Sequence, residues 1–588
     1  MSDWVKSLSK VLYIDLTRKI FWVEDREDLF SKWLGGIGVA VQLYKEEVPK
    51  GVDPLAPENA IIMAVGPATG VFPMASKTIA VFKSPLNGYI AESHAGGRSA
   101  AAIRFAGYGA IVIKGASDRP VYIVIEDDKI RFRDAGTIWG MRSSETVGRV
   151  LREALPGAGM RTIMRIGRAG ERLIRYANVT AETYRHFGRM GLGAVFGSKK
   201  LKALIIIGRK GFKLPDVKSF REIYKELYDL TRGSATRKYH DLGTAANVIP
   251  LDKIGALPTR NFTSGRFEGA REISGEKLAE ENLARRVACV ACPVACIHLA
   301  YIREEYETEK YFYKTEFIPY DYELIYALGS NLGVSDRIGL LKVIKAVEEE
   351  GLDAISTGVV LAWATEALER GIITEKETLV QLRWGDWRNY VNAIHNIVLQ
   401  PNEFYRYLGL GVEEASKRYG GVDFAVAFNK VEVAGYHTGP LFHASVSIGF
   451  RHSHLDAGAY SMDEKLVASG GSIPDAEKAF EMIKEEEAWR QVLNSYTLCL
   501  FGRGVYTKEL VARSLRSIGY NISEKDLLRL GEEIYMEKHR IKLEEGFNPL
   551  DMRIPRRILE TPTPLGQVSE GFIKNIVSQY VEKIRKSY

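Results

Sequence analysis

The stretch Cys289-Val-Ala-Cys292-Pro-Val-Ala-Cys296 constrains this chain more than any other, because it holds three of the only four cysteines in 588 residues. The fourth, Cys499, lies far downstream. Three thiolates inside one octapeptide can wrap one face of a small inorganic cluster, and a fourth from a distant segment can close it. A [4Fe–4S] cubane has four irons, each taking one thiolate, so the count leaves none over. On that reading the fold must bring the segment around residue 499 back against the 289–296 loop. Pro293 favours a tight turn there rather than a helix.

Other readings of the four thiols stay open at this point. A zinc site more often shows two close Cys or Cys/His pairs; here the second pair is missing, although His298 could serve. Radical-SAM enzymes place the wider gap first, the reverse of this order. Four unrelated buried cysteines would rarely pack three into eight residues.

Length predicts about three or four domains. A hydrophobic content of 46% and a charged content of 26% are those of a soluble globular protein. No apolar run approaches the roughly 20 residues of a membrane helix. The start, Met-Ser-Asp-Trp-Val-Lys, lacks an apolar signal core, so the expected location is cytoplasmic, where thiols stay reduced. The net charge of +7 is spread along the chain and forms no focused basic stripe, which argues against nucleic acid. A basic face could steer an acidic redox protein; an ordinary solvated surface explains the charge equally well. Abundant Lys, Arg and Glu with little Gln and Cys hints at a thermophile.

The expected fold class is α+β. Up to about residue 212 the chain is strand-rich: Val11–Asp15 and Ile20–Val23 read as a hairpin, followed by strands at Ala60–Val65, Thr78–Phe82, Ala110–Lys114, Val121–Ile125 and Ala203–Ile207. Glycine turns separate them at Gly35–Gly38, Gly66–Gly70, His94–Gly97 and Gly188–Gly193. These turns carry Lys77, Arg98, Arg185 and Arg189, and glycine with arginine suits a phosphate-bearing cofactor. Beyond residue 215 the texture becomes helical, at Phe220–Leu230, Arg337–Glu350, Gly358–Arg370, Glu477–Asn494 and Glu524–Glu537, with a basic amphipathic surface helix at Ile573–Lys586. No short internal repeat is visible.

The cysteine motif, with Cys499 in Asn494-Ser-Tyr-Thr-Leu-Cys-Leu-Phe501, resembles that of the tungstopterin aldehyde ferredoxin oxidoreductases. So do Lys83–Gly88, Arg104–Tyr108, Gly191–Ala203, Ala327–Gly333 and Gly351–Gly358, over nearly the whole length. The resemblance implies a β-rich base domain holding two pterins (1–212), capped by two mainly helical domains. The first (213–420) carries three cluster cysteines and one pterin motif; the second (421–588) carries the fourth cysteine and the other motif. It implies tungsten between the two pterins, held by dithiolene sulfurs. It also implies a [4Fe–4S] cluster on Cys289, Cys292, Cys296 and Cys499, and a Mg²⁺ bridging the pterin phosphates.

By the same resemblance, Lys77, Gly96, Arg185, Gly188 and Arg189 contact the cofactor, and the backbones of His94 and His186, in turns, ligate the Mg²⁺. The family's first acidic pterin motif reads here Glu348-Glu-Glu-Gly-Leu352-Asp353. The second reads Asn494-Ser-Tyr-Thr-Leu498-Cys499, with Asn for Asp and Thr497 for Gly; Leu500 follows, and Arg451 lies in a family segment. Glu323 and His454 match the residues that handle protons. Burial among aromatics is expected to raise the Glu323 pKa, and aromatics of Tyr306–Tyr322 and Tyr436–Phe450 are expected to line a pocket. Lys342-Val-Ile-Lys345 replaces the Glu-x-x-His of members that share a mononuclear iron, so none is expected. The implied reaction is oxidation of an aldehyde to a carboxylic acid, with electrons passed to ferredoxin or a small ferredoxin-like subunit. The alternatives are a same-family subunit acting on a non-aldehyde substrate such as an aromatic thioester, or a non-catalytic iron–sulfur electron-transfer subunit.

Overall fold

The computed structural model describes residues 3–182, 184–306 and 308–586. β-Branched runs build two six-stranded sheets in its first 208 residues. The first comprises β1 (Lys10–Asp15), β2 (Ile20–Asp25), β3 (Ile61–Ala64), β4 (Thr78–Lys83), β5 (Ile90–Ala95) and β6 (Ala110–Lys114), in the order β2-β1-β6-β3-β4-β5. The second comprises β7 (Val121–Glu126), β8 (Lys129–Asp134), β9 (Met160–Arg165), β10 (Val179–Ala181), β11 (Arg185–Phe187) and β12 (Leu201–Gly208), in the order β8-β7-β12-β9-β10-β11.

The two orders are the same. In each sheet an opening hairpin pairs in parallel with the last strand, and the other three strands follow antiparallel. After the hairpin the first sheet has two helices (Glu27–Trp33, Gly36–Glu47) and the second has Ser144–Ala154, and in each a helix leads into the last strand (Ser99–Ala106, Leu192–Ser198). The base therefore uses one strand order twice. Their edge strands, β5 and β11, lie beside each other.

Glycines let the helical part close on this base. Gly36 does not sit in a turn, as the sequence suggested; it opens a helix at φ +45°, and a Cβ on it would lie 2.2 Å from the Asn494 oxygen. A Cβ on Gly66 would lie 2.3 Å from the Ser495 oxygen. Backbone thus meets backbone where the Ala476–Tyr496 helix ends.

The helices expected from periodicity are present, including Val217–Thr231, Arg337–Glu350, Ala354–Glu369 and Glu524–Glu544. The last helix, Glu570–Arg585, is amphipathic as expected: Ile573, Ile576, Tyr580 and Ile584 are buried against the core, and Glu570, Lys574 and Glu582 face solvent. The helical texture after residue 215 also hides a sheet of β13 (Leu283–Val287), β14 (Ile297–Tyr306) and β15 (Glu309–Tyr320). Its inner face, with Ala300, Ile302 and Ile318, is buried, and Lys342 and Lys345 pin it through Glu304 and Glu316. Its outer face exposes Tyr301, Tyr313 and Phe317, and Tyr311 and Phe312 stand in solvent near the tip. The aromatics of Tyr306–Phe317 therefore stay away from the large cavity between the base and the helical part, although Phe317 borders a separate surface pocket. Among the described residues no helix is long and apolar enough to cross a membrane.

Candidate cofactor and active site

A cavity opens where the edge strands of the two sheets face the helical part, with about 1540 Å³ of atom-free space including its solvent-open mouth. Lys77, His94 and Gly96 line it from the first sheet's side, and Arg185, His186, Gly188 and Arg189 from the second's. His94 lies on β5 and His186 on β11, so both stand on strands rather than in turns. Glu348, Leu352 and Asp353 enter from the ends of two helices, Arg451 and His454 from one loop, and Leu500 from the short 3-10 helix Leu500–Gly502. Asn494 and Leu498 are buried but do not line the cavity.

Cys296 also faces this space. The cysteine loop is stitched to its surroundings by backbone. Val290 N donates to Gly97 O at 3.0 Å, Gly97 N to Cys289 Sγ at 3.1 Å, and Met74 N to Ala291 O at 3.0 Å. Cys499 N donates in turn to Met74 O at 3.0 Å, so one turn carries both cysteine segments. All four cysteines are free. Burial, then the charge of neighbouring Cys499, pushes the Cys292 thiol up to about 12; burial raises Cys296 to about 11 against the pull of Arg185. Four thiolates here need cationic charge, which the irons of a cluster would supply. Among the described residues no three His, Cys, Asp or Glu side chains converge on one point to hold a metal ion.

The cavity wall itself asks for a polar ligand. His94 Nε2, Arg185 Nε and Arg189 Nη1 are buried there without a hydrogen-bond partner, a state that costs about 1–3 kcal/mol per group until something binds. Burial, helped by Arg451 and Lys77, drives the His94 pKa well below its ordinary value, so its imidazole is neutral. Burial disfavours the Arg185 cation, but the thiols of Cys289 and Cys296 and the Asp321 carboxylate outweigh it. Asp353 caps the Ala354–Glu369 helix through Ile355 N and meets Arg189 at 3.2 Å. Glu348 meets His186 at 2.7 Å. These orphaned donors, cations and bare glycine backbones fit an anionic, nitrogen-rich organic cofactor.

Glu323 lies in the first turn of the Tyr322–Leu328 helix. Its Oε1 accepts from Tyr436 Oη at 2.6 Å and lies 3.3 Å from His454 Nε2. Burial pushes its pKa up, but the bond and charge of His454, with the Tyr436 hydroxyl, outweigh it and hold the carboxyl below its usual range. The expected upward shift is thus reversed. It falls instead on Asp321, which burial, then the Glu323 charge, raises to about 7.

Two family models cover the chain: aldehyde ferredoxin oxidoreductase, N-terminal domain, over residues 11–208, and domains 2 and 3 over residues 221–588. The chain belongs to the aldehyde ferredoxin oxidoreductase family. It is 32% identical over 580 residues to the tungsten-containing aldehyde ferredoxin oxidoreductase of Pyrococcus horikoshii, covering 95% of this chain and 92% of that one. It is also 33% identical over 421 residues to the aliphatic sulfonate oxidoreductase, WOR-like subunit, of Pyrococcus furiosus, covering 66% and 64%. The fold matches the active site complex BamBC of benzoyl coenzyme A reductase at a TM-score of 0.82, with 19% identity over 99% of this chain and 94% of that one. Family membership makes the chain an oxidoreductase and supports a tungsten–pterin cofactor.

Where the chain departs from the family's second pterin motif, Thr497 takes φ +66°, the left-handed conformation that glycine adopts freely. That costs a β-branched residue about 1–2 kcal/mol. Its hydroxyl compensates in part, bonding Tyr496 O at 2.6 Å and Thr69 Oγ1 at 2.8 Å. His452 is structural: buried, it meets Lys542 Nζ at 2.8 Å and Asn429 Nδ2 at 2.9 Å. Sequence reasoning missed Glu92, Asp321, Tyr460, Arg490 and Arg503, all on the cavity wall. Glu92 carried a usable signal, since it lies two residues before His94 on one strand and so on the same face.

Proposed function

We propose that the chain oxidises an aldehyde to a carboxylate and passes the electrons singly to ferredoxin or a small ferredoxin-like subunit. When bound, a tungsten bis-pterin supplies two-electron chemistry and a [4Fe–4S] cluster on Cys289, Cys292, Cys296 and Cys499 relays electrons one at a time. Lys77, Gly96, Arg185, Gly188, Arg189, Arg451, Glu348, Leu352, Asp353 and Leu500 hold the pterins. Asn494 and Leu498, buried outside the cavity lining, would support the second pterin indirectly, and the backbones of His94 and His186 would hold a Mg²⁺ that offsets the cofactor's anionic charge. In the balanced reaction an aldehyde and one water give a carboxylate, three protons and two electrons. Glu323, ionised at neutral pH, accepts a proton from the attacking water. His454, beside it, hydrogen-bonds the carbonyl oxygen as charge develops there. Tyr436 fixes the Glu323 rotamer.

The observation that carries this reading is the Glu323–His454–Tyr436 constellation in the same cavity wall as Cys296. In tungsten- and iron-replete protein, aldehydes should reduce a viologen dye, and Glu323→Gln should lower kcat by about a hundredfold or more. Near-normal turnover in a metal-replete Glu323→Gln protein removes the role assigned to that residue. A replete wild type inert to every aldehyde in a broad panel points instead to a non-aldehyde substrate.

A further inference from the structure

Five arginines face the cavity, and four of them lie against an anion that the chain supplies. Arg189 meets Asp353 at 3.2 Å, Arg451 meets Asp456 at 2.8 Å and Arg490 meets Glu486 at 2.9 Å. Arg185 faces the cysteine thiols. Arg503 differs. It donates to the Leu500 oxygen at 2.9 Å and faces the phenols of Tyr239 and Tyr460; the carboxylates of Glu486 and Glu464 act on it only from beyond ion-pairing distance, and among the described residues none makes a salt bridge with it. A guanidinium stays charged at any working pH, and a half-buried one with no carboxylate in direct contact can still receive an oxyanion.

Its place in the wall says which end of a ligand it would meet. Tyr436, whose hydroxyl donates to Glu323, stacks on Tyr460 with ring centroids 4.3 Å apart. Tyr460 in turn faces Arg503. Tyr239 and Phe501 form a second stacked pair in the wall, also at 4.3 Å. Leu455, 36% exposed, also lines the cavity and marks its solvent edge. Aromatic faces therefore separate the charged arginine from the reacting carboxylate.

We propose that Arg503 determines specificity by holding an anionic group of the substrate, and that the chain acts on aldehydes with a flat apolar body and a carboxylate remote from the carbonyl. The reacting end rests on the aldehyde reading above; the anionic end rests on the cavity wall alone. The aromatic faces take the body, and the guanidinium fork takes both oxygens of the carboxylate.

The test uses tungsten- and iron-replete protein as wild type, Arg503→Gln and Arg503→Lys. Turnover is compared for para-formylbenzoate and para-tolualdehyde, and calorimetric binding for terephthalate and para-toluate. Wild type should prefer para-formylbenzoate in kcat/KM. Arg503→Gln should cut that preference by about tenfold or more, mainly through KM, and weaken terephthalate relative to para-toluate by a similar factor. Arg503→Lys should restore part of both ratios. The proposal is overturned if wild type shows no preference, if both acids weaken together, or if Arg503→Gln protein loses tungsten, which would assign the arginine to the cofactor. Arg503-dependent terephthalate binding without turnover of either aldehyde would uphold the anion subsite and defeat the aldehyde reading.

Discussion

Glu323 shows how one neighbour decides what a buried acid can do. Burial alone would make it a proton donor near neutral pH, but His454 and Tyr436 hold it below the ordinary glutamate value of 4.5. A carboxylate held low in the folded chain adds stability above its unfolded pKa, lost as pH falls through the folded one. The stability that Glu323 contributes is therefore fully present above its unfolded pKa and lost only in acid. His454→Ala removes the main counterweight to burial. The acid limb of the kcat/KM profile should then move up by about one unit or more; a limb that stays in place would show that another group holds Glu323. Glu323 and His454 were legible as sequence because short motifs surround them. The direction of the Glu323 shift was not, since it depends on a contact spanning more than a hundred positions.

At the scale of elements, the close approach of the Ala476–Tyr496 helix end to the base depends on glycine. A methyl on Gly66 would meet the Ser495 oxygen at 2.3 Å, a backbone atom that cannot rotate away. Gly66→Ala should lower the unfolding free energy by about 1–3 kcal/mol, read as the urea midpoint. A change within about 0.5 kcal/mol, the range of an ordinary surface substitution, would mean that the helix end can shift. Strands and helices were readable where periodicity was strong, as in Ala203–Ile207 and Arg337–Glu350. The β13–β15 sheet was not, because β14 and β15 carry charged and aromatic residues on both faces of a projecting hairpin. Only the inner face near its base is buried, so the alternation fades toward the tip.

Across the whole molecule, the cysteine loop, the turn at Met74 and the segment at Cys499 hold one another by backbone bonds. A cluster on the four thiols would tie the base to both parts of the helical cap. Cys499→Ala should bring iron below about four per chain and lower the thermal midpoint by several degrees. Full iron and an unchanged midpoint would remove Cys499 from the ligand set.

By itself the sequence determined the family: cysteine spacing and long distinctive segments state which atoms are available, and local pattern states which stretches are strand or helix. Tertiary structure alone decided the two like-ordered sheets whose edge strands meet, the placing of Arg503 beyond stacked rings with no salt bridge among the described residues, and the ionised state of Glu323. Each depends on distances between segments far apart in the chain, and one-dimensional pattern carries no record of those.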